Sequence, residues 1–167
     1  EPRLGEASQS FFGRAGFLAG DDERRATEIL DALADPTVDV LVAARGGYGA
    51  TRILGRLDVD RIARAGKPIV GFSDVTALHA LWARAGVPSM HGPMVASLGR
   101  ADPPLVERWM RALLDPRAAL PSLAVVAPGL TEGPLRGGNL AVLAARVGTP
   151  FLPPLDGAIL FLEDVGE

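Results

Sequence analysis

The stretch Lys67-Pro68-Ile69-Val70-Gly71-Phe72-Ser73-Asp74 (residues 67–74) decides the fold, because it places a short apolar strand directly before a tight corner. Apolar side chains then recur with helical spacing over residues 75–85, and Gly86 is the expected glycine just past the helix end. A strand, a corner and a helix in this order predict an α/β fold with a parallel sheet.

Upstream of this stretch the same order of elements occurs. Residues 22–34 predict a helix with an N-cap at Asp21 or Asp22, and residues 38–44 predict a buried strand rich in β-branched side chains. A glycine-rich loop at 45–49 and a further helical pattern follow. We therefore expect an α/β domain in which helices cover both faces of a parallel sheet.

The second half of the chain changes in texture. After a predicted helix at 103–114, four prolines fall between residues 115 and 134, followed by a short helix near 139–147 and a strand at 158–163. We predict an α/β domain over residues 1–118, then a linker and the start of a smaller, β-rich C-terminal domain over 119–167. Without an initiating Met, and with so short a second domain, the chain is expected to be truncated at both ends.

Composition excludes several classes of function. The chain has 167 residues, a formal net charge of -3, no Cys and two His. Nucleic acid and membranes are not expected as partners, because both would need clustered Lys and Arg. Disulfides and thiolate metal sites are excluded, no HExxH spacing is present, and no metal or cofactor is expected. With no signal peptide and no apolar run long enough to span a membrane, a cytoplasmic protein is predicted.

Ser73 is the first candidate for chemistry. A strand-to-helix corner lifts a Ser hydroxyl clear of the sheet and places it at the positive end of the next helix. The match to a GxSxG nucleophile motif is incomplete, because Val75 stands in the place of the second Gly. Taken alone, the pattern favours a plain helix N-cap at Ser73 or Asp74 over a nucleophile.

Two further segments carry candidate groups. The loop Arg45-Gly46-Gly47-Tyr48-Gly49 follows a predicted strand, at the edge of a parallel sheet where ligands bind. Its N–H groups could form an oxyanion hole together with the N–H of Asp74, could hold a phosphate, or could serve loop geometry alone. Glu163 ends the last strand, where it either orients a catalytic histidine or is simply a solvated side chain.

Together these segments resemble the LD-carboxypeptidases, the murein tetrapeptide carboxypeptidases, a family of serine peptidases that also includes microcin C immunity proteins. Five motifs carry the resemblance, in family order and spacing, over nearly the whole chain: 45–50 (RGGYGA), 71–78 (GFSDVTAL), 91–94 (HGPM), 137–140 (GGNL) and 159–164 (ILFLED).

The resemblance implies that Ser73 is the nucleophile and Glu163 the acid of a catalytic triad. The family's histidine base lies downstream of the last residue here, and its first strand precedes Glu1, so this fragment alone is expected to be inactive. The implied substrate is a cytoplasmic muropeptide that loses its terminal D-Ala in cell-wall recycling, through an acyl-enzyme on Ser73. A homodimer is also implied.

Neither histidine of the chain is expected to replace the missing base. His79 lies six residues after Ser73 on a helix, about 240° around the axis, so it should point away from the hydroxyl. His91 is expected to have a structural or substrate-contact role. A carboxypeptidase must also bind a free carboxylate, which the fork of Arg45 suits. Arg45 could equally pair with an acid that braces its loop. Tyr48 and Asn139 complete the predicted substrate-binding residues.

Two alternative functions stay open from the sequence. An immunity-type hydrolase that cleaves peptidyl-nucleotides would use the same catalytic residues, so the motifs do not separate it from a muropeptide carboxypeptidase. A noncatalytic domain could instead use the glycine-rich loop to hold a phosphorylated or carboxylated ligand, and in that protein Ser73 would not react with a fluorophosphonate probe.

Overall fold

The computed structural model describes residues 18–115 and 123–165. In chain order the elements are α1 (Asp22–Ala34), β1 (Leu41–Val42), α2 (Ala50–Ile53) with a 3₁₀ turn (Leu54–Arg56), α3 (Val59–Ala65), β2 (Ile69–Gly71), a 3₁₀ turn (Ser73–Val75), α4 (Thr76–Arg84), β3 (Ser89–His91), α5 (Val95–Leu98), α6 (Pro103–Leu114), β4 (Leu135–Asn139), α7 (Leu140–Ala144) and β5 (Ile159–Glu163).

Both sheets of the described residues are parallel. The first has the order β1-β2-β3, with Val42 opposite Val70 and Gly71 opposite His91. The second pairs β4 with β5 and places Asn139 opposite Glu163. Parallel strands carry their C-terminal ends to the same edge, so the residues that follow β1 and β2 come close together. The predicted α/β class with parallel sheets is confirmed.

Helix α4 is the centre of the structure. Every residue from Thr76 to Trp82 is buried, because the helix packs against β2 and β3 on one side and against β4 and α7 on the other. A helix enclosed in this way must be apolar around its circumference. The indole N–H of Trp82 donates to the Lys67 carbonyl at 2.8 Å, so this buried side chain leaves no donor unpaired.

Local capping signals in the sequence are confirmed. Asp21 caps α1 by accepting from the Arg24 N–H, and Asp102 caps α6 by accepting from the Leu105 N–H. After α4, Gly86 adopts a positive φ of 70° and the Val87 N–H donates to the Trp82 carbonyl. This is the Schellman arrangement that a glycine at this position predicts.

Two strands differ from the expectation. The run 38–44 forms a ladder only at Leu41–Val42, since the neighbouring strand β2 is itself only three residues long. Strand β4 was not predicted, because Gly137 and Gly138 disfavour a strand by propensity. Both are required by close approach: a Cβ on Gly137 would overlap the Phe161 carbonyl, and one on Gly138 would lie 2.5 Å from Thr76 Oγ1.

The predicted domain boundary, between residues 118 and 119, lies outside the described residues. The helix expected near 139–147 is shorter, at Leu140–Ala144. Among the helices of 18–115 and 123–165, none has the length and apolar character that crossing a bilayer requires.

Candidate active site

Ser73 lies at a strained corner between β2 and α4. Its φ of 59° is the only positive value of a non-glycine residue among the described residues. The corner is fixed from both sides: the Gly71 carbonyl accepts from the Gly92 N–H at 3.0 Å and from His79 Nε2 at 2.9 Å. A backbone in a sparsely populated region persists only where its surroundings hold it, and such positions cluster at functional sites.

The Ser73 hydroxyl faces the glycine-rich loop. A Cβ built on Gly46 would lie 3.6 Å from Ser73 Oγ and 3.2 Å from Met94 Cε, so the Gly46 backbone borders the hydroxyl directly. The N–H groups of Gly46 and Gly47 form no hydrogen bond with any described residue. The serine hydroxyl therefore lies beside a loop whose first glycines carry unpaired backbone donors among the described residues.

Neither Ser73 nor Asp74 caps the turn or the helix that follows it in sequence. No side chain caps the 3₁₀ turn at Ser73–Val75 or helix α4. Asp74 Oδ2 instead accepts from the Ala50 N–H at 2.9 Å, across 24 residues of sequence, and so connects the corner at Ser73 to the end of the glycine-rich loop. Burial raises the pKa of Asp74, while that hydrogen bond and the charges of Arg25 and Arg146 oppose the rise.

Glu163 is not a solvated strand end. Its Oε2 is buried and has no hydrogen-bond partner among the described residues, and it lies 3.9 Å from His91 Nε2. The His91 ring packs edge-on against Phe161, with 5.0 Å between centroids. Burial lowers the pKa of His91, and the Glu163 charge opposes that change. The structure therefore places one unsatisfied carboxylate oxygen beside an imidazole at the junction of the two sheets.

His79 is bonded to the strand end before Ser73 and makes no hydrogen bond with the serine itself. The side chain is 6 % exposed and its Nε2 is bonded to the Gly71 carbonyl, which stabilises the strand end before the corner. Burial lowers the pKa of His79 to about 4, with the Gly71 bond opposing the change and the nearby His91 adding to it. Neither His79 nor His91 is hydrogen-bonded to Ser73.

The predicted substrate-binding residues occupy different surroundings. Arg45 and Tyr48 are exposed on the glycine-rich loop, and no acid of 18–115 or 123–165 forms an ion pair with Arg45, so a loop brace of that kind is not what holds it. Asn139 is half-buried. Its Oδ1 accepts from the Val142 N–H at 3.1 Å, which caps α7, and its Nδ2 lies 3.4 Å from the Glu163 carbonyl.

Two residues that the sequence reasoning missed connect the halves of the chain. Thr76 Oγ1 accepts from the Asn139 N–H at 2.9 Å, which joins the start of α4 to the end of β4. Arg146 is 5 % exposed and donates from a terminal guanidinium nitrogen to Thr51 Oγ1 at 2.6 Å. No sequence signal distinguishes a buried Arg from the many exposed ones, whereas the Thr that directly follows the nucleophile corner could have been noticed.

A cavity of about 90 Å³ lies under the second sheet, between α4, β3 and β4, and His79, His91 and Arg136 line it. Ser73, Gly46 and Asp74 do not contribute to its lining. Within the described residues, no group of three or more His, Asp or Glu side chains could hold a metal ion.

Ser73 thus lies at a strand-to-helix corner beside the Gly46 backbone, at the edge of the parallel sheet of an α/β structure. The LD-carboxypeptidase N-terminal domain matches residues 1–92, and the LD-carboxypeptidase C-terminal domain matches residues 132–167. The chain belongs to the LD-carboxypeptidase family.

Relatives of known name support this assignment. The murein tetrapeptide carboxypeptidase of Pseudomonas aeruginosa is 35 % identical over 171 residues, covering 92 % of this chain and 54 % of the relative. A Bacillus subtilis protein with the name probable murein peptide carboxypeptidase is 34 % identical over 173 residues, covering 99 % and 53 % respectively. The chain thus spans about half the length of these relatives.

Solved structures agree with the sequence relatives. The crystal structure of muramoyltetrapeptide carboxypeptidase from Oxalobacter formigenes superposes with a TM-score of 0.81 at 36 % identity, covering 90 % of this chain and 53 % of the other. The microcin C7 self immunity protein MccF, in complex with aspartyl sulfamoyl adenosine, superposes with a TM-score of 0.74 at 27 % identity, covering 91 % and 56 %.

Proposed function

We propose that the full-length protein containing this chain is a serine-type LD-carboxypeptidase that removes the terminal D-Ala from cytoplasmic muropeptides. The names of the relatives support the activity and the class of substrate. The single observation that carries the proposal is the position of Ser73 Oγ beside the Gly46 backbone. We infer that a substrate carbonyl attacked by this hydroxyl places its oxygen at the N–H groups of the loop.

The reaction proceeds by acyl transfer. Ser73 Oγ bonds to the carbonyl carbon of the substrate while a histidine base outside residues 1–167 takes the hydroxyl proton. The N–H of Asp74 and those of Gly46 or Gly47 stabilise the resulting oxyanion, and each such donor contributes about 3 kcal/mol in comparable enzymes. The C–N bond then breaks, the base returns the proton to the departing D-Ala amine, and water releases the acyl group.

Glu163 supplies the acidic member of this triad. Its buried Oε2 has no hydrogen-bond partner among the described residues, so the oxygen is available to orient an imidazole and stabilise the imidazolium that forms during attack. His91 already lies beside this carboxylate and packs against Phe161, which holds the strand ends at the site together. We assign His91 a structural or substrate-contact role rather than that of the base.

Arg45 is the proposed partner of the substrate's free carboxylate. The side chain is exposed next to the loop donors and has no ion pair with any acid of the described residues, so its guanidinium fork is free to bind a carboxylate in bidentate fashion. In the full-length protein, Arg45→Ala should lower kcat/KM at least tenfold more on free-acid peptides than on C-terminally amidated ones. Equal losses on both substrates would remove Arg45 from the substrate site.

The proposed chemistry is tested with the full-length protein, a muropeptide ending in D-Ala, and the Ser73→Ala variant. Ser73→Ala should abolish D-Ala release and labelling by a fluorophosphonate, whereas Ser97→Ala, a matched change on α5, should retain both. Activity should survive EDTA. Release of D-Ala by Ser73→Ala at the wild-type rate, together with loss in EDTA, would contradict the proposal and indicate a metallohydrolase.

A second candidate function is hydrolysis of a peptidyl- or aminoacyl-nucleotide, as in microcin immunity. The likeness to MccF, whose structure with aspartyl sulfamoyl adenosine superposes on this chain, is the observation that favours it. Parallel assays on a muropeptide and on a microcin-like nucleotide conjugate separate the two activities. If neither is cleaved and Ser73 is unlabelled while a ligand binds, the protein is a noncatalytic binding domain.

Three further expectations belong to the same proposal. We propose that the boundary between the two domains lies between residues 118 and 119, within the stretch that neither domain family matches. The protein is expected to form a homodimer and to need no cofactor. Size-exclusion chromatography with light scattering of the full-length protein measures its oligomeric state, and a monomer would contradict the expected homodimer.

A further inference from the structure

The glycine-rich loop has no cap of its own where it enters α2. Gly49, the residue before the helix, adopts a φ of 119° and has no side chain to accept from the first helical N–H. That N–H, from Ala50, donates to Asp74 Oδ2 instead. The orphan donor at a helix start is therefore satisfied by the residue that directly follows Ser73, which couples the loop position to the nucleophile corner.

A second contact holds the same short helix from the other half of the chain. Arg146, next to the end of α7, is nine-tenths buried and donates to Thr51 Oγ1, the residue after Ala50. A guanidinium is costly to bury unless a hydrogen bond and an opposite charge compensate it. The acid whose field acts favourably on Arg146 is Asp74. The two side chains thus approach the start of α2 from different segments.

A third contact confines the loop from the side of α1. A Cβ on Gly49 would lie 2.8 Å from Arg25 Nη1, so the guanidinium rests directly on the loop backbone. Arg25 is in turn bonded to Asp22 at 2.6 Å, and Asp22 accepts two further bonds from Arg52 of α2. The loop is therefore held at its end, while the Gly46 and Gly47 N–H groups at its start stay free.

We propose that the Asp74 carboxylate is a positioning residue, which sets the distance between the Ser73 hydroxyl and the N–H donors of the 45–49 loop, and that Arg146 completes this contact at Thr51. The proposal rests on the function proposed above and assigns the Asp74 side chain a role distinct from that of its backbone N–H. Because oxyanion donors act only at the correct distance from the developing charge, a loop displaced by a fraction of an ångström loses transition-state stabilisation while substrate binding is retained.

The test compares three variants of the full-length protein. Asp74→Ala removes the acceptor, Asp74→Asn keeps an oxygen that accepts the Ala50 N–H, and Asp102→Ala removes an equivalent capping carboxylate at α6, far from Ser73. We expect Asp74→Ala to lower kcat on a D-Ala peptide about 100-fold with KM changed less than threefold. Asp74→Asn should retain kcat within about tenfold, and Asp102→Ala should retain it fully.

Hydrogen exchange provides a readout that needs no substrate. The hydrogen-bonded amides of Ala50 and Arg52 should exchange at least tenfold faster in Asp74→Ala than in the wild type. In Asp74→Asn the same amides should exchange more slowly than in Asp74→Ala. If Asp74→Ala does not fold, Thr51→Val removes the acceptor of Arg146 without changing shape, and it should accelerate the same amides and lower kcat three- to tenfold.

The outcomes separate this inference from the proposed function. Wild-type protein that neither releases D-Ala nor reacts with a fluorophosphonate contradicts the function, while the exchange data still test the loop contact. An active wild type whose Asp74→Ala and Thr51→Val variants retain wild-type kcat and exchange overturns the positioning role. So does an Asp74→Ala variant whose activity falls only through loss of folded protein, measured as the fraction of Ser73 that labels.

Discussion

The neutral state of His79 is expected to make the fold sensitive to acid. Burial lowers the pKa of His79 from 6.5 to about 4, so the folded protein resists a proton that the unfolded chain takes up below pH 6.5. Because the folded pKa of His79 lies below the unfolded one, the contribution of the neutral ring to the free energy of unfolding is fully present above pH 6.5. That contribution is lost as the pH falls towards 4. Each pKa unit corresponds to about 1.4 kcal/mol, so the loss reaches about 3 kcal/mol at pH 4.

The perturbation that isolates this effect is His79→Gln. A glutamine amide reaches towards the Gly71 carbonyl as a neutral donor but does not titrate. Urea unfolding of the full-length protein, followed by fluorescence of the buried Trp82, gives the free energy of unfolding at pH 7, 5.5 and 4. Between pH 7 and 4 the wild type should lose about 3 kcal/mol more than His79→Gln.

The other ionisable groups are present in both proteins, so their contributions cancel in the difference between wild type and variant, apart from the repulsion between His79 and His91 that the substitution removes. Parallel losses in wild type and His79→Gln would refute the reasoning, because they would show that the His79 proton is not linked to folding. An NMR titration that gave the folded His79 ring a pKa near 6.5 would refute it independently.

Two glycine substitutions test the geometry around Ser73. Gly71→Ala would place a Cβ 2.8 Å from Val75 Cγ1, so it should destabilise the protein by about 1–3 kcal/mol in thermal unfolding. The double variant with Val75→Ala should recover most of that loss. An unchanged melting temperature of Gly71→Ala would contradict the packing seen here. Gly46→Ala would fill the space between Ser73 Oγ and Met94, and should lower kcat/KM about 100-fold with little change in stability. The control Gly99→Ala meets only an ordinary 3.7 Å contact and should retain activity. Full activity of Gly46→Ala would show that no substrate oxygen enters this gap.

Features set by neighbours in sequence were predictable. The Asp21 cap of α1 and the glycine after α4 each depend on hydrogen bonds that span only a few residues. The α/β class followed from the alternation of such segments, and the family followed from five motifs in order. Chain order and local composition carry this information, because the physical preferences involved are local.

Strand β4 and the surroundings of Glu163 were not predictable in the same way. The glycines at 137 and 138 are poor strand formers, and only the nearness of Phe161 and Thr76 makes them necessary. Whether Glu163 is solvated or buried beside His91 depends on how the second sheet packs across α4, which brings together residues 72 positions apart. No residue pattern in either segment indicates that Glu163 and His91 lie side by side in the fold.

The sequence by itself determined which residue types stand at the ends of the strands, and hence that Ser73 and the glycines at 46 and 47 were candidates for one site. Only the tertiary structure decided that the Ser73 hydroxyl borders the Gly46 backbone, that Asp74 bonds to Ala50 rather than capping its own helix, and that Arg146 is buried against Thr51. The physical reason is that parallel strands are joined through long crossovers. The contacts that shape the site therefore join segments far apart in sequence, and no local pattern predicts which residues will meet.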